Sequence, residues 1–360
     1  MNLPKDHLAV VFGSSPREMV PILMDHLRIA DRVPPDGRIG IKPNLVVSKP
    51  SSSGATTDPE VVEGVIDYLN SEGKRDIVIL ESAWIGDSTD EAFEVCGYRE
   101  LAARTGVPLL NLEAASWTAH RAGDLSIRVC DAALSLDYLI NVPVLKAHCQ
   151  TRLTCALKNL KGLIPGSEKR RFHDLGLDGP IAHLNQIIAP DLTIVDGIVG
   201  DLSFEEGGNP VRMNRLIGGF DPVLIDAYAA TLLGYSPGDI GHVRIAGEIG
   251  VGSSNLGSAV IEELNTPDID LPQPGDHRPS DRALRGITQD RACSACVGSL
   301  LHAVNRLGGG RKIPRGLFIG QGFKGKKRPG IGIGACTKAF DRHVPGCPPT
   351  ALDIRRFLER

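Results

Sequence analysis

"YLINVPVLKAH", residues 138–148, decides the fold: a short Leu/Ile/Val-rich run breaks abruptly into a lysine and a histidine. Such a run is too short for a helix and too evenly apolar for a strand with one wet face. It reads as a strand covered on both sides. Four more runs share its texture: "HLAVVFG" (7–13), "RIGIKPNLVV" (38–47), "DIVILES" (76–82) and "DLTIVDG" (191–197). Between two of them, "DPEVVEGVIDYLNSEG" (58–73) opens on Asp-Pro, carries apolar residues at helical spacing and stops at Gly73. Strand–helix–strand alternation predicts an α/β fold, a mostly parallel sheet with helices on both faces. Sheets of that kind bind ligands beyond the carboxyl ends of their strands. The segments to watch are therefore "KPNLV", "ESAW", "LKAH" and "VDG".

Working outward, 360 residues exceed one ordinary domain. The α/β texture fills residues 1–262. Residues 263–280, "ELNTPDIDLPQPGDHRPS", carry four prolines and little apolar content and read as a linker. Residues 281–360 form a third segment with four of the eight cysteines. A net charge of -3 leaves recognition of charged partners to local patches. No run approaches the eighteen or so apolar residues of a membrane span, and "MNLPKDHLAVVFGSS" lacks the layout of a signal peptide. The expectation is a cytoplasmic protein with no membrane partner, in which eight cysteines point to metal before disulfides.

Cys293, Cys296, Cys336 and Cys347 stand in "RACSACVGS", "GIGACTKAF" and "VPGCPPT". A C-x-x-C pair turns two thiolates to one centre, and two further cysteines complete four ligands, which suit a [4Fe-4S] cluster or zinc. The cluster is favoured because only one pair is close-spaced, because a proline follows the last cysteine, and because small residues flank every ligand. "GCPP" also resembles the last cluster ligand in the small subunit of respiratory NADH:quinone oxidoreductases. Cys96 and Cys130 read as small core residues, while Cys149 and Cys155 lie beside the charged motif described next.

Residues 141–174, "NVPVLKAHCQTRLTCALKNLKGLIPGSEKRRFHD", are the densest in basic groups. A helix over 151–164 would put Thr151, Thr154, Lys158 and Lys161 on one stripe and Leu153, Leu157, Leu160 and Ile164 on another. Two lysines one turn apart repel unless an anion lies between them. Lys146 and His148, alternating on a strand end, would share a face. Asp196 lies at another strand end, and Asp226, inside an apolar helix, needs a partner such as Lys146 or Lys158. Nucleic acid is not expected, since no aromatics interleave with the basic residues.

"VPVLKAH", "ALKNLKGLIPG", the later "FH" and "PDLTIVDGI", with "IKPNLV", "ATTDP" and "GGFDPVLIDAYAATLLG", resemble the hallmark segments of the domain-of-unknown-function family 362 over roughly residues 38–235. The resemblance implies Lys42, Asn44, Lys146, His148, Lys158, Asn159 and His173 as site residues, and iron–sulfur cysteines in many members. The chain departs from the pattern at "VGDLSFEEGGNP", which brings Asp201, Glu205 and Glu206 where glycines are usual, and at Cys155, where a glycine is more usual.

The function expected is an iron–sulfur oxidoreductase. A small anionic substrate would meet Lys146, His148, Lys158 and Lys161, with Lys42, Asn44, Asn159 and Asp196 alongside, and His148 or His173 would give the proton. The rivals are an electron-relay or cluster-carrier module and a zinc-stabilised anion-binding protein. The acid-free stretch "GGGRKIPRGLFIGQGFKGKKRPG" (308–330) would dock an acidic electron donor such as a ferredoxin or flavodoxin.

Overall fold

The computed structural model describes residues 4–202, 205, 207, 209–267, 270–272, 286–307 and 316–359. The chain divides into two compact units, Met1–Phe172 with Leu177–His277, and His173–Gly176 with Arg278–Arg360.

The first unit is built on an eight-stranded sheet. Its spatial order is Val260–Glu263, His7–Phe12, Pro210–Gly219, Leu192–Asp201, Tyr138–Val142, Ile39–Pro43, Ile77–Glu81, Leu109–Asn111. Neighbours run parallel except at Pro210–Gly219, which is antiparallel to both strands beside it. The alternation of side chains explains why every run looked apolar throughout: both faces are covered. Leu8, Val10, Val78, Leu80 and Leu139 enter one core, while Ala9, Val11, Ile77, Ile79 and Ile140 enter the other. The helices Pro16–His26 and Pro59–Ser71 close the second core. The latter starts as its sequence dictates: the Asp58 side chain accepts from Glu60 N at 2.9 Å, and Pro59 takes the first turn. Helices Asp178–Ile187, Pro222–Leu232 and Gly241–Glu248 close the first core.

Two expectations are corrected. Residues 151–164 are not one helix. Lys146–His148 and Arg152–Thr154 form a small antiparallel hairpin, helix covers only Ala156–Asn159, and a 3₁₀ turn follows over Leu160–Leu163. Arg152 holds a left-handed φ of 64°, which no continuous helix allows. Asp226 does not pair with a lysine. Its carboxylate accepts from Ala156 N at 2.6 Å and Leu157 N at 3.1 Å, and His242 Nε2 lies 3.7 Å away.

The start of the stretch read as a linker is tied to the sheet: Glu263 ends the edge strand, and Asn265 bonds both Phe12 N and Phe12 O at 2.7 Å. Residues 268, 269 and 273–280 of that stretch lie outside the described residues.

The second unit holds a four-stranded sheet of three-residue strands, Ile287–Gln289, Leu317–Ile319, Ile331–Ile333 and Arg342–Val344, parallel and in chain order. The helices Ser294–Asn305 and Ala351–Leu358 complete it.

Candidate functional sites

In the first unit, three adjacent strands deliver polar side chains beyond their carboxyl ends. Lys42, fully buried, donates to Glu81 Oε2 at 2.7 Å and to Pro43 O at 2.7 Å. Burial pulls its ammonium below the usual lysine range, while the charge and hydrogen bond of Glu81 work against that. Asn159 knits the strand ends together. Its amide nitrogen donates to Asn141 Oδ1 at 2.8 Å, and its oxygen accepts from Asn44 Nδ2 at 2.7 Å. Lys146 Nζ donates to Asn44 Oδ1 at 3.0 Å and to Ala55 O. Lys42, Asn44, Lys146 and Asn159 thus come together at the strand ends.

Beside this network lie lysines with less to hold them. Lys158, half-buried, reaches Thr154 Oγ1 at 3.1 Å. Desolvation pushes it down to about 8, with the charges of Glu205 and Cys149 pulling the other way. Lys161 is held well below the usual range, first by desolvation and then by Lys158 and Lys169. Among the described residues Lys161 has neither an acid nor a hydrogen-bond acceptor. Lys169, which the sequence did not single out, is buried and donates to Ser82 O, Ser82 Oγ and Ala83 O at 2.6–2.7 Å. Burial pushes it down to about 8 as well.

The Asp201–Glu205 departure from the family pattern has a structural consequence. Glu205 Oε2 accepts from Cys149 N at 3.1 Å, and its Oε1 accepts from Cys149 Sγ at 2.9 Å. His148 Nδ1 accepts the N–H groups of Gln150 and Thr151, both at 3.1 Å. A neutral ring therefore carries its proton on Nε2, which faces Glu205 Oε1 at 3.8 Å. Glu206 lies outside the described residues.

Asp196 is buried, and its oxygens are taken by backbone: Oδ2 accepts from Asp58 N at 2.8 Å and Oδ1 from Ile198 N at 3.1 Å. Burial pushes its carboxyl up to about 7. Cys155 is fully buried, and desolvation raises its thiol far above the reactive range. Cys96 and Cys130 are core residues.

In the second unit the four cysteines gather where its parallel strands end. Cys293 and Cys296 follow the first strand, Cys336 the third and Cys347 the fourth, and the turn after the second strand supplies Gln321. All five line one recess of about 370 Å³. Gln321 Nε2 donates to Cys293 Sγ at 3.4 Å. Gly334, at a φ of 90°, lets the chain pass beside Cys296. Burial pushes the Cys296 thiol up to about 12 and Cys293 up to about 11, and the neighbouring thiolates add to both. Burial of this kind favours the neutral thiols unless a positive centre lies beside them. His173, expected beside Lys146, belongs to the second unit through His173–Gly176, and the charge of Asp174 raises Cys293 and Cys336 further.

The strand ends and the cysteine spacing were legible in the sequence. Glu205 and Gln321 were not, because each finds its partner only through the fold. Glu81 was marked only as a strand end.

Residues 39–231 match the family model described as a domain of unknown function, DUF362. A thylakoid-associated protein of Synechocystis sp. is 26% identical over 260 residues, covering 67% of this chain and 79% of that protein. Among solved structures, the lactate racemase apoprotein from Thermoanaerobacterium thermosaccharolyticum aligns with a TM-score of 0.37 at 12% identity. That alignment spans 61% of this chain and 56% of the other.

Proposed function

The chain belongs to the DUF362 family, and from that premise we propose that it is an iron–sulfur oxidoreductase. Cys293, Cys296, Cys336 and Cys347 hold a [4Fe-4S] cluster, and the lysine cluster at the strand ends of the α/β unit takes a small anionic substrate. The observation that carries this reading is the convergence of four cysteines at the carboxyl edge of one parallel sheet. The single close-spaced pair and the proline after Cys347 favour a cluster over zinc. Gln321 and the small residues Gly320, Gly334, Ala335 and Gly346 fit the same group, since cluster sulfurs accept hydrogen bonds and need close backbone approach.

When bound, the cluster supplies single electrons. The chain's own residues do the rest. Lys158 and Lys161 attract and orient an anion, which restores their charged form. Lys42 and Asn159 hold the strand ends beside them in place, and the Nε2–H of His148, facing Glu205, is the proton donor. Lys324, Lys326, Lys327 and Arg328 are exposed in the second unit, and the charge of Lys324 reaches Cys336. We assign them to docking an acidic electron donor of the ferredoxin or flavodoxin kind. Arg311, Lys312 and Arg315 lie outside the described residues.

Among the described residues no helix is long and apolar enough to cross a membrane, and we place the chain in the cytoplasm. Recovery with washed membranes would move it toward the location in the name of its Synechocystis relative.

The test is anaerobic purification with iron and sulfide analysis. Roughly four of each per chain are expected, with a sharp loss in Cys336→Ser. Lys158→Ala with Lys161→Ala should keep the iron and lose binding of sulfate and small dicarboxylates. One zinc and no sulfide would sink the cluster. Unchanged anion binding would sink the substrate site and leave an electron relay.

A further inference from the structure

We propose a second metal site, distinct from the cysteines, in which His7, His26 and Glu262 bind one zinc-type divalent ion at the edge of the α/β sheet. The register builds it. His7 opens its strand, and Ala9 of that strand pairs with Glu262 of the edge strand, so His7, Ala9 and Glu262 share a face. On that face lies the helix Pro16–His26, whose Met19 and Leu23 pack with Ala9 and Val11, and whose last residue is His26.

Both Nε2 atoms lie close to one carboxylate oxygen. His7 Nε2 lies 3.1 Å and His26 Nε2 3.3 Å from Glu262 Oε2, with ring centroids 5.7 Å apart. Nitrogen and oxygen ligands about 2.0–2.1 Å from a tetrahedral zinc stand roughly 3.3 Å from each other; the two nitrogen–oxygen distances match that spacing, and all three atoms lie within 4.8 Å of one another. His26 Nε2 is closed off from solvent and makes no hydrogen bond despite its approach to the carboxylate. The end of an eleven-residue helix also favours a cation there.

The triad His148, Cys149 and Glu205 is equally close-packed. It fails on chemistry, because Nδ1 of His148 accepts two N–H groups and Nε2 keeps its proton. Among the described residues neither Nδ1 of His7 nor that of His26 is met by a backbone N–H. Two imidazoles and one carboxylate exclude magnesium and calcium and match zinc, with Glu262 open enough to leave a fourth position to water. The ion would fasten Val260–Glu263, an exposed strand that among the described residues pairs on one side only, to the start of the chain.

The full chain, with its cysteine site loaded, is stripped of loosely held metal. It is then titrated with Zn²⁺ against a chromophoric chelator, in parallel with His26→Gln and Glu262→Gln. One equivalent bound by the unmodified protein and at least tenfold weaker binding by each variant is the expected result, with iron content the same in all three. Cobalt in place of zinc should show visible ligand-field bands without thiolate charge transfer. Glu262 is largely exposed, so Glu262→Gln reads the site even if His26→Gln folds poorly. Equal zinc affinity in the unmodified protein and Glu262→Gln, or thiolate bands with cobalt, would overturn the proposal.

Discussion

At the scale of single residues, Lys158 and Gly162 make the lysine site testable. Desolvation holds Lys158 near a pKa of about 8, against 10.5 for a free lysine. The unfolded chain therefore binds more protons than the folded one between those values, and this group makes the fold more stable as pH rises through that window. Anion binding runs the opposite way, because it needs the ammonium. Raising pH from 7 to 9 should weaken binding of a non-titrating anion such as sulfate several-fold in the unmodified protein. Lys158→Ala should flatten that dependence and cost about tenfold to a hundredfold at pH 7. A pH-independent affinity, read by calorimetry, would remove Lys158 from the site. Gly162 lies where a Cβ would land on Glu81 Oε1 and Lys42 Nζ. Gly162→Ala should force the buried Lys42–Glu81 pair apart and destabilise the α/β unit by roughly 3 kcal/mol, seen as an early thermal transition.

At the scale of elements, the segment 151–164 shows what the sequence could and could not say. Its apolar positions, Leu153, Leu157, Leu160 and Ile164, are all buried as their helical spacing required, yet the element is a hairpin followed by a short helix and a 3₁₀ turn. Burial was legible because it depends on side-chain chemistry. The backbone was not, because it is fixed from a distance by Asp226, whose carboxylate holds the first amides of Ala156–Asn159. Pro210–Gly219 was missed because Arg212, Asn214 and Arg215 interrupt its apolar pattern, and the strands of the second unit are too short to show a period. The cap has its own pH signature. Burial alone would lower His242, but its contacts with Asp178 and Asp226 prevail and raise it above its ordinary value. That stabilisation is complete below about pH 6.5 and is lost as pH rises through the raised value. Asp226→Asn should therefore cost roughly 3 kcal/mol in urea unfolding at pH 6 and less at pH 9. A gap that widens with pH would contradict the pairing.

At the scale of the whole molecule, the two units differ in what holds them together. The α/β unit has a separate apolar core on each face of an eight-stranded sheet and survives on burial alone. The second unit has strands of three residues, and a small apolar set led by Leu317, Ile319, Ile331, Ile333 and Phe340. On the proposed reading, a metal centre tying the strand ends together would add to what this small core supplies. Its cysteines follow three of the four strands, so one bound group would cross-link those three. Removing the iron by oxidation and chelation should therefore raise amide exchange at Leu317–Ile319, Ile331–Ile333 and Arg342–Val344 by about a hundredfold or more. The strands Ile39–Pro43 and Tyr138–Val142 should keep their protection. If the second unit stays protected without iron, its sheet stands by packing alone, and the cysteines are free to serve electron transfer without carrying the fold.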